Sequence, residues 1–456
     1  MYRQLLAVDL PTVARVTVAQ ATDISEARQR VRAAAGQYES SVEVLFPVIA
    51  PTFAYQHLEG MNQNASGTLV LTSFYNLLPA VTLQWIVNPG RVYYDIVAAR
   101  RRLQASRQHQ QAVELDTLRL TAEQYYDLVL AQAKVAVAQQ AVAQAEEALR
   151  LTARRLRAGT ALASDESRAR ASLAGRRQDL LTAVNGFYQA SVALTETLHL
   201  DPTVTLVPGA REIAQTTLVR EDLPVEQALA IAVRYRPDLQ SARTLLAAVK
   251  ADKGAVSWGA LGPQLQAAYT LGGIRTDVGG QVFGPRQQQK ASASGGFALG
   301  LSTFGQVKTA GANVRIAAID IERRLDRLGA QIVSAQQSSA TSAMLIPIAQ
   351  EQVQAAEDAL RKAQANVNAG TMLLLDVLQA EDEVDGARLR YVQAIAQYNK
   401  SQVKLLAALG LLDVTALTPA TEHAAPVIGS EDGGEKTNRE SGHRIVGPGD
   451  SDFGPR

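Results

Sequence analysis

Ala145-Glu146-Glu147-Ala148-Leu149-Arg150 recurs as Ala356-Glu357-Asp358-Ala359-Leu360-Arg361, and Arg157-Ala158-Gly159-Thr160 recurs at the same offset as Asn368-Ala369-Gly370-Thr371. Asp165 then matches Asp376, Ala169 matches Ala380, Arg177 matches Arg388 and Leu200 matches Leu411. The register runs without a gap from Ala145 to Leu200, with roughly a third of the positions identical, so the chain reads as two copies of one plan. Alanine-rich helices share scattered residues by composition alone. They do not share one Ala-Gly-Thr break followed at one distance by the same Asp.

Outward from this repeat, each half runs through the same series. A short helix opens it, Val13 to Gln37 in the first half and Val225 to Lys253 in the second, the latter after the start signal Leu223-Pro224. A strand-like hairpin follows, then two long helical segments joined at the Ala-Gly-Thr break. Arg91 to Leu156 contains no proline or glycine, and as one helix it would span about 100 Å at ~1.5 Å per residue. Its apolar positions, among them Leu118, Tyr125, Leu128, Val135, Val142, Leu149 and Leu156, recur in steps of three, four or seven. That is a coiled-coil-like seam, flanked by alanines that let helices approach closely.

The hairpins rest on period-two alternation. In the first, Ile49, Phe53 and Tyr55 alternate with Ala50, Thr52, Ala54 and Gln56; after a polar link over 59–67, Leu69, Leu71, Val81, Leu83 and Trp85 alternate with Thr68, Thr72, Thr82 and Gln84. In the second, Leu265, Ala267, Tyr269 and Leu271 alternate with Gln264, Gln266, Ala268 and Thr270. A Gly- and Gln-rich link over 272–296 is expected to lead to a return strand at Phe297, Leu299 and Leu301. A lipid-facing barrel with a wet lumen and a half-buried soluble hairpin both fit this pattern.

The resulting division is 1–45 first short helix, 46–88 first hairpin, 89–200 first long helical pair, 201–222 an equatorial segment, 223–261 second short helix, 262–303 second hairpin, 304–412 second long pair, and 413–456 a disordered tail rich in Gly, Pro, Ser and charge. The fold class is α+β, mainly α. Lysine plus arginine number 45 against 44 aspartate plus glutamate, so no charge bias points to nucleic acid, and the arginine runs lack interleaved aromatics. With no cysteine, disulfide frameworks and thiolate metal sites are excluded. No apolar run reaches the ~20 residues of a membrane-spanning helix. The start, Met1 to Asp9, shows no signal peptide.

These features together resemble the TolC-type outer membrane efflux family. The residues that carry the resemblance are Leu223-Pro224-Val225-Glu226-Gln227-Ala228-Leu229 with Arg236-Pro237-Asp238-Leu239, Gly262-Pro263, Phe304-Gly305, and the Ala-Gly-Thr turn followed by Asp376-Val377-Leu378-Gln379-Ala380. Their order and duplication cover about residues 10 to 412. The resemblance implies long antiparallel helices plus two β-hairpins per protomer. Three protomers would close a 12-stranded outer-membrane β-barrel and a periplasmic α-helical barrel, with a belt of mixed structure at 201–222 and after Leu412. It implies no catalytic residue, no cofactor and no resident metal. The implied partners are two further copies, outer-membrane lipid, a periplasmic adaptor (membrane fusion) protein and, through it, an inner-membrane pump. A secreted protein needs a signal sequence, and its absence here is attributed to a missing N-terminus. The alternatives are a soluble coiled-coil scaffold without a barrel and, behind it, a periplasmic adaptor; the duplicated hairpin-plus-two-helix plan speaks against the adaptor, and a scaffold has no use for four alternating segments in symmetric positions.

The candidate site residues fall in three groups. Asp376 and Asp165 lie just past the turns, where the resemblance implies the periplasmic mouth; the plain alternative is a carboxylate favoured by a helix N-terminus. The family closes that mouth with charged links, but Val367, Met372 and Gln379 occupy their positions here, so closure is expected to rest on Met372, Leu373 and Leu374. Arg157, Gly159, Thr160, Asn368, Gly370 and Thr371 form the tips implied to meet the adaptor. Arginines there also complement a helix C-terminus. Phe53, Tyr55, Trp85 and Tyr269, with Phe74 and Tyr75 nearby, fit an interfacial aromatic girdle or ordinary packing. Histidines are scattered, and no Walker A or Gly-x-Ser-x-Gly sequence is present, so the chain reads as a non-enzyme. Alanine at Met372 and Leu374 together is expected to raise single-channel conductance in planar bilayers; unchanged conductance counts against an apolar plug.

Overall fold

The computed structural model describes residues 5–63, 65–159, 162–209, 214–220, 222–278, 281–297, 302–369 and 374–418. The chain runs β1 (Leu5–Val8), α1 (Leu10–Gln20), α2 (Thr22–Glu43), β2 (Val48–Gln63), β3 (Leu69–Val87), α3 (Pro89–Arg157), α4 (Ala163–Thr197) and β4 (Thr205–Pro208). The second half follows with α5 (Val225–Tyr235), α6 (Pro237–Leu261), β5 (Gln264–Val278), β6 (Gln281–Gly296), α7 (Ser302–Asn368) and α8 (Leu374–Ala408). The expected tail lies, from residue 419, outside the described residues.

The spine is α3, 69 residues in one helix. Its start is fixed by Asn88, whose side chain accepts from Arg91 N at 3.0 Å, with Pro89 next; proline fits the first turn because that turn has no amide partner to lose. Its end is fixed by Gly159 at φ +74°, a left-handed residue that closes the last turn and that a side chain disfavours. Along this spine lie α2 and α6 on the sheet side and α4 and α8 further on. The main core is shared by α1, α3, α5, α6, α7, β4 and the ends of α4 and α8: Tyr125, Leu128, Leu194, Leu198, Leu206, Leu239, Ile332 and Leu409 are all buried there. Between α7 and α8 two further sets are buried: Ile346, Ala349, Ala394, Ile395 and Tyr398, and, nearer the turn, the smaller residues Ala356, Leu360, Ala363, Val377, Ala380, Val384 and Ala387.

Each opening helix is two helices, not one. The first half breaks at Ala21, whose ψ of 129° is non-helical, and the second at Arg236, which precedes Pro237 and is driven out of the helical region by it. The strands of the second hairpin are also longer than expected, although the hairpin itself ends earlier. The segment read as a link over 272–296 is mostly strand, with β6 pairing antiparallel to β5 in the register Leu265↔Gly295, Ala267↔Ala293 and Tyr269↔Ala291. The return strand therefore ends at Gly296, before Phe297; residues 298–301 lie outside the described residues. The cause is cross-strand division of labour. Bulk on this face comes from Tyr269 and Leu265 of β5, so β6 needs only Ala and Gly opposite them and shows no apolar alternation of its own.

The equatorial segment contributes β4, which pairs in parallel with β1, a strand with no counterpart in the sequence reading. The stretch 214–219 has no regular structure, and side chains of α8 satisfy its backbone. Asn399 Oδ1 accepts from Thr216 N at 2.9 Å while its Nδ2 donates to Ala214 O at 2.8 Å. Gln402 Oε1 accepts from Leu218 N and Val219 N at 3.0 and 2.8 Å, and its Nε2 donates to Ser339 Oγ of α7 at 2.7 Å. Gln402 is fully buried. Gln402→Met keeps the volume but strands two amides, and is expected to cost about 2–4 kcal/mol; thermal unfolding in detergent reads the loss.

Candidate functional site

The four-stranded sheet has the order β2-β3-β5-β6, so β2 and β6 are its edges. Strand alternation sorts its side chains onto two faces. One carries Ile49, Phe53, Tyr55, Leu71, Val81, Leu83, Tyr269 and Leu271, all exposed. The other carries Thr52, Gln56, Thr82, Gln84, Gln266 and Thr270, with Thr82 and Thr270 hydrogen-bonded across strands at 3.1 Å. In the middle of the sheet Thr82, Gln84 and Thr270 are half-buried where their neighbours Val81, Leu83 and Tyr269 are exposed, while Thr52, Gln56 and Gln266 are exposed.

Of the aromatics singled out, Phe53 and Tyr55 stand 71% and 60% exposed on the apolar face. Tyr55 stacks against Tyr75 (6.1 Å between rings), and His57 stacks on the other side of Tyr75 (4.3 Å). Tyr269 is exposed beside Leu83, its hydroxyl donating to Gln289 Oε1 at 3.3 Å. Trp85 is half-buried at the helical end of β3, its Nε1 donating to Leu45 O at 3.1 Å. Trp85 and Tyr75 are on the same face of one strand, about 33 Å apart at ~3.3 Å per residue. The side chain of Phe74 lies outside the described residues.

At the far end of α3, Arg157 is the last helical residue and its Nε donates to Ala153 O at 3.3 Å. Arg154 pairs with Glu147 at 3.3 Å. Both interactions serve the helix terminus. The chain turns at Gly159, and α4 begins at Ala163. Asp165, its third residue, accepts from Leu162 N at 3.2 Å and so supplies the carboxylate half of a capping box. Asp376 occupies the same place in α8, third residue of the first turn, and is half-buried. Gln379 is exposed one turn on. Thr160, Gly370, Thr371, Met372 and Leu373 lie outside the described residues. Asn368 closes α7 and Leu374 opens α8, but their side chains are likewise outside.

The duplication extends to chemistry. Arg177 Nη2 of α4 meets Glu146 Oε1 of α3 at 2.9 Å, and Arg388 Nη2 of α8 meets Glu357 Oε1 of α7 at 2.6 Å, with 31 residues between partners in both. The two hairpins differ just beside this pair. Arg176 of α4 reaches across to α8, where it contacts Asp382 and, at 3.3 Å, Asp385. Glu381 is 8% exposed and Asp385 5%. Burial pushes Glu381 up to about 7, with Asp385 and Asp382 adding to the rise and Arg176 opposing it. Asp385 is also raised, again chiefly by burial. The sequence reading missed this cluster. The available signal was Glu381 itself, placed four residues after Val377 and three before Val384 on the flank of an apolar seam.

The paired arginines give a graded expectation. The Arg177 side chain is 60% exposed and that of Arg388 27%, so Arg177→Gln should change stability by less than about 0.5 kcal/mol and Arg388→Gln by about 1 kcal/mol. Parallel thermal unfolding of the two variants checks the order.

A family model described as outer membrane efflux protein matches residues 14–198 and 229–411. Among solved structures, the outer-membrane channel OprN superposes with a TM-score of 0.73 at 21% identity, covering 88% of this chain and 89% of that one. The CmeC outer membrane channel of Campylobacter jejuni gives 0.75 at 18%, covering 89% and 87%. The open-state MtrE outer membrane channel of Neisseria gonorrhoeae gives 0.69 at 19%, covering 88% and 89%. At these identities the likeness establishes the fold. No curated protein sequence matches the chain.

Proposed function

The chain belongs to the outer membrane efflux protein family, and on that premise we propose that three copies form the exit duct of a tripartite efflux or secretion system. One observation carries the reading: a sheet with an exposed apolar face, a polar face opposite it and two open edge strands, β2 and β6, of 16 residues each. In hydrocarbon every backbone amide and carbonyl needs a protein partner. Four strands cannot curl enough to pair β2 with β6, whereas twelve can. Two further copies supply the missing strands. The apolar face then meets lipid and the polar face a watery lumen.

The aromatics support the span. A strand tilted by ~40° converts the ~33 Å between Trp85 and Tyr75 into about 25 Å of height, the thickness of an outer-membrane apolar band. Trp85 and Tyr269 would mark its periplasmic edge and Tyr55 its outer edge, with Phe53 between. Exposed apolar residues along α7, including Ile316, Ile319, Met344 and Ile348, are the surface a neighbouring copy would cover, as is the groove of about 520 Å³ between α3, α7 and α8 lined by Leu130, Leu345 and Gln397. The long helices would continue into the periplasm. There Asp376 would ring the mouth, with Asp165, Gln379 and the Met372-Leu373-Leu374 stretch around it. The tips at Arg157, Gly159 and Thr160 and at Asn368, Gly370 and Thr371 would meet the adaptor, and the pump would act through it. Nothing in this role calls for catalysis; specificity belongs to the pump. A soluble scaffold would have no use for the sheet's apolar face.

Planar-bilayer conductance of the protein refolded in detergent, together with its mass there, tests the reading. A trimer giving discrete, cation-selective openings is expected, and Asp376→Asn should lower cation selectivity without abolishing conductance. A detergent-independent, non-conducting species would overturn it.

A further inference from the structure

The acid cluster on α8 sits where the two helical hairpins of one protomer meet. Arg176 is the cation that joins them: its side chain is 17% exposed, it comes from α4, and its contacts Asp382 and Asp385 come from α8. Around it the other charges are engaged elsewhere. From α3, Glu146 is held by Arg177 of α4. From α7, Glu357 is held by Arg388, and the exposed Arg361 pairs with Asp358. Arg176 and Arg388, the latter already held by Glu357, are thus the cations that act on Glu381, Asp382 and Asp385, of which Asp382 is 68% exposed and the other two are buried. Both carboxylate oxygens of Asp385 are buried without a hydrogen-bond partner, so they depend on Arg176 and Arg388 for charge compensation. The first half has no equivalent: Arg170 stands at the position that matches Glu381, and Ala171 and Ala174 at those that match Asp382 and Asp385.

We propose that Glu381, Asp382, Asp385 and Arg176 form a proton-controlled joint between the two helical hairpins, closed while Glu381 is protonated and loosened when it ionises. Arg176 and Arg388 already face Asp382, Asp385 and Glu357, so no cation is left for a further carboxylate, and an ionised Glu381 buried beside Asp385 is repelled by both aspartates and deprived of water. Relief comes from parting α4 from α8, which lets water reach the cluster. The direction is the reverse of an ordinary salt bridge, which acid breaks. In the packed state burial raises Glu381 to about 7, against an ordinary value in water of 4.5. The packed arrangement is thus the state that holds the proton. Its advantage is whole below about 4.5 and is lost progressively as pH rises to 7. The ratio of parted to packed forms should climb by close to tenfold per pH unit across that window and level off above it. What this does to the mouth rests on the duct reading; the joint itself does not.

The test is a distance. The chain has no cysteine, so Gln178→Cys on α4 and Gln393→Cys on α8, both at exposed positions, give the only two thiols for spin labels. Pulsed electron resonance on full-length labelled protein, diluted into unlabelled copies so that distances are read within one chain, is recorded from pH 4.5 to 8.5. The wild-type background should shift from a short to a longer distance and level off near pH 7. Glu381→Gln should hold the short distance throughout, and Arg176→Gln the longer one. A wild-type distance that ignores pH, a Glu381→Gln variant that titrates like wild type, or an Arg176→Gln variant that stays short would each overturn the joint. A channel that never conducts in bilayers would instead sink the duct and leave this result intact.

Discussion

Unpaired backbone at a sheet edge is tolerable in water and prohibitive in hydrocarbon. With β2 and β6 both open, the protomer is an incomplete object, and much else in the chain follows from the need to complete it. The sheet must be long enough to cross a membrane, so its strands run to 15–19 residues. In the proposed assembly it would have to meet neighbouring copies in register, and each hairpin is held by helices at both ends. On the proposed reading, completion by identical copies would also account for the surface of the single chain, where many large apolar residues on strands and long helices are exposed.

The joint between sheet and helices shows how tightly the parts are held. Asn88 caps α3 and also donates from Nδ2 to the carbonyls of Trp258 and Gly262, at 3.0 and 3.3 Å. One short side chain thereby ties the exit of β3 to the end of α6. Gly90 lies under the Trp258 ring, where an added Cβ would fall 2.4 Å from the indole, so the absence of a side chain is what permits the approach. The equatorial belt uses the same economy. Asn399 and Gln402 stand in for a strand partner to residues 214–219, which gives an irregular segment a defined path.

Sequence made the long elements legible and the short or compensated ones illegible. The coiled-coil seam and the break at Gly159 placed α3 to within two residues at its start and one at its end, because a helix with no proline or glycine inside has few alternatives. The first hairpin was readable because both its strands alternate. The second was half readable: β6 borrows its apolar cover from β5, so Gln281–Gly296 carries a strand's backbone pairing without a strand's pattern. β1 was missed because four residues carry no period. At the tips, the repeat found Asp165 and Asp376 but could not tell a capping carboxylate from a mouth-lining one; for Asp165 the hydrogen bond from Leu162 N makes it a helix cap. The repeat also hid the buried cluster, since attention to what the halves share passes over Glu381 and Arg176, where they differ.

The interlock of Gly90 with Trp258 has a mechanical meaning. A helix of 69 residues is a rod about 100 Å long at ~1.5 Å per residue, and it is gripped at one end. Turning such a rod by about 5° at the grip would swing its free end by about 9 Å, more than the width of a small solute, by simple leverage over that length. A loose grip would therefore let thermal tilting at the membrane open and shut the distant end at random. Packing so close that not even a methyl group fits converts that lever into a fixed mast, and leaves any controlled motion to the slender lower half, where alanine-lined helices meet over small contacts.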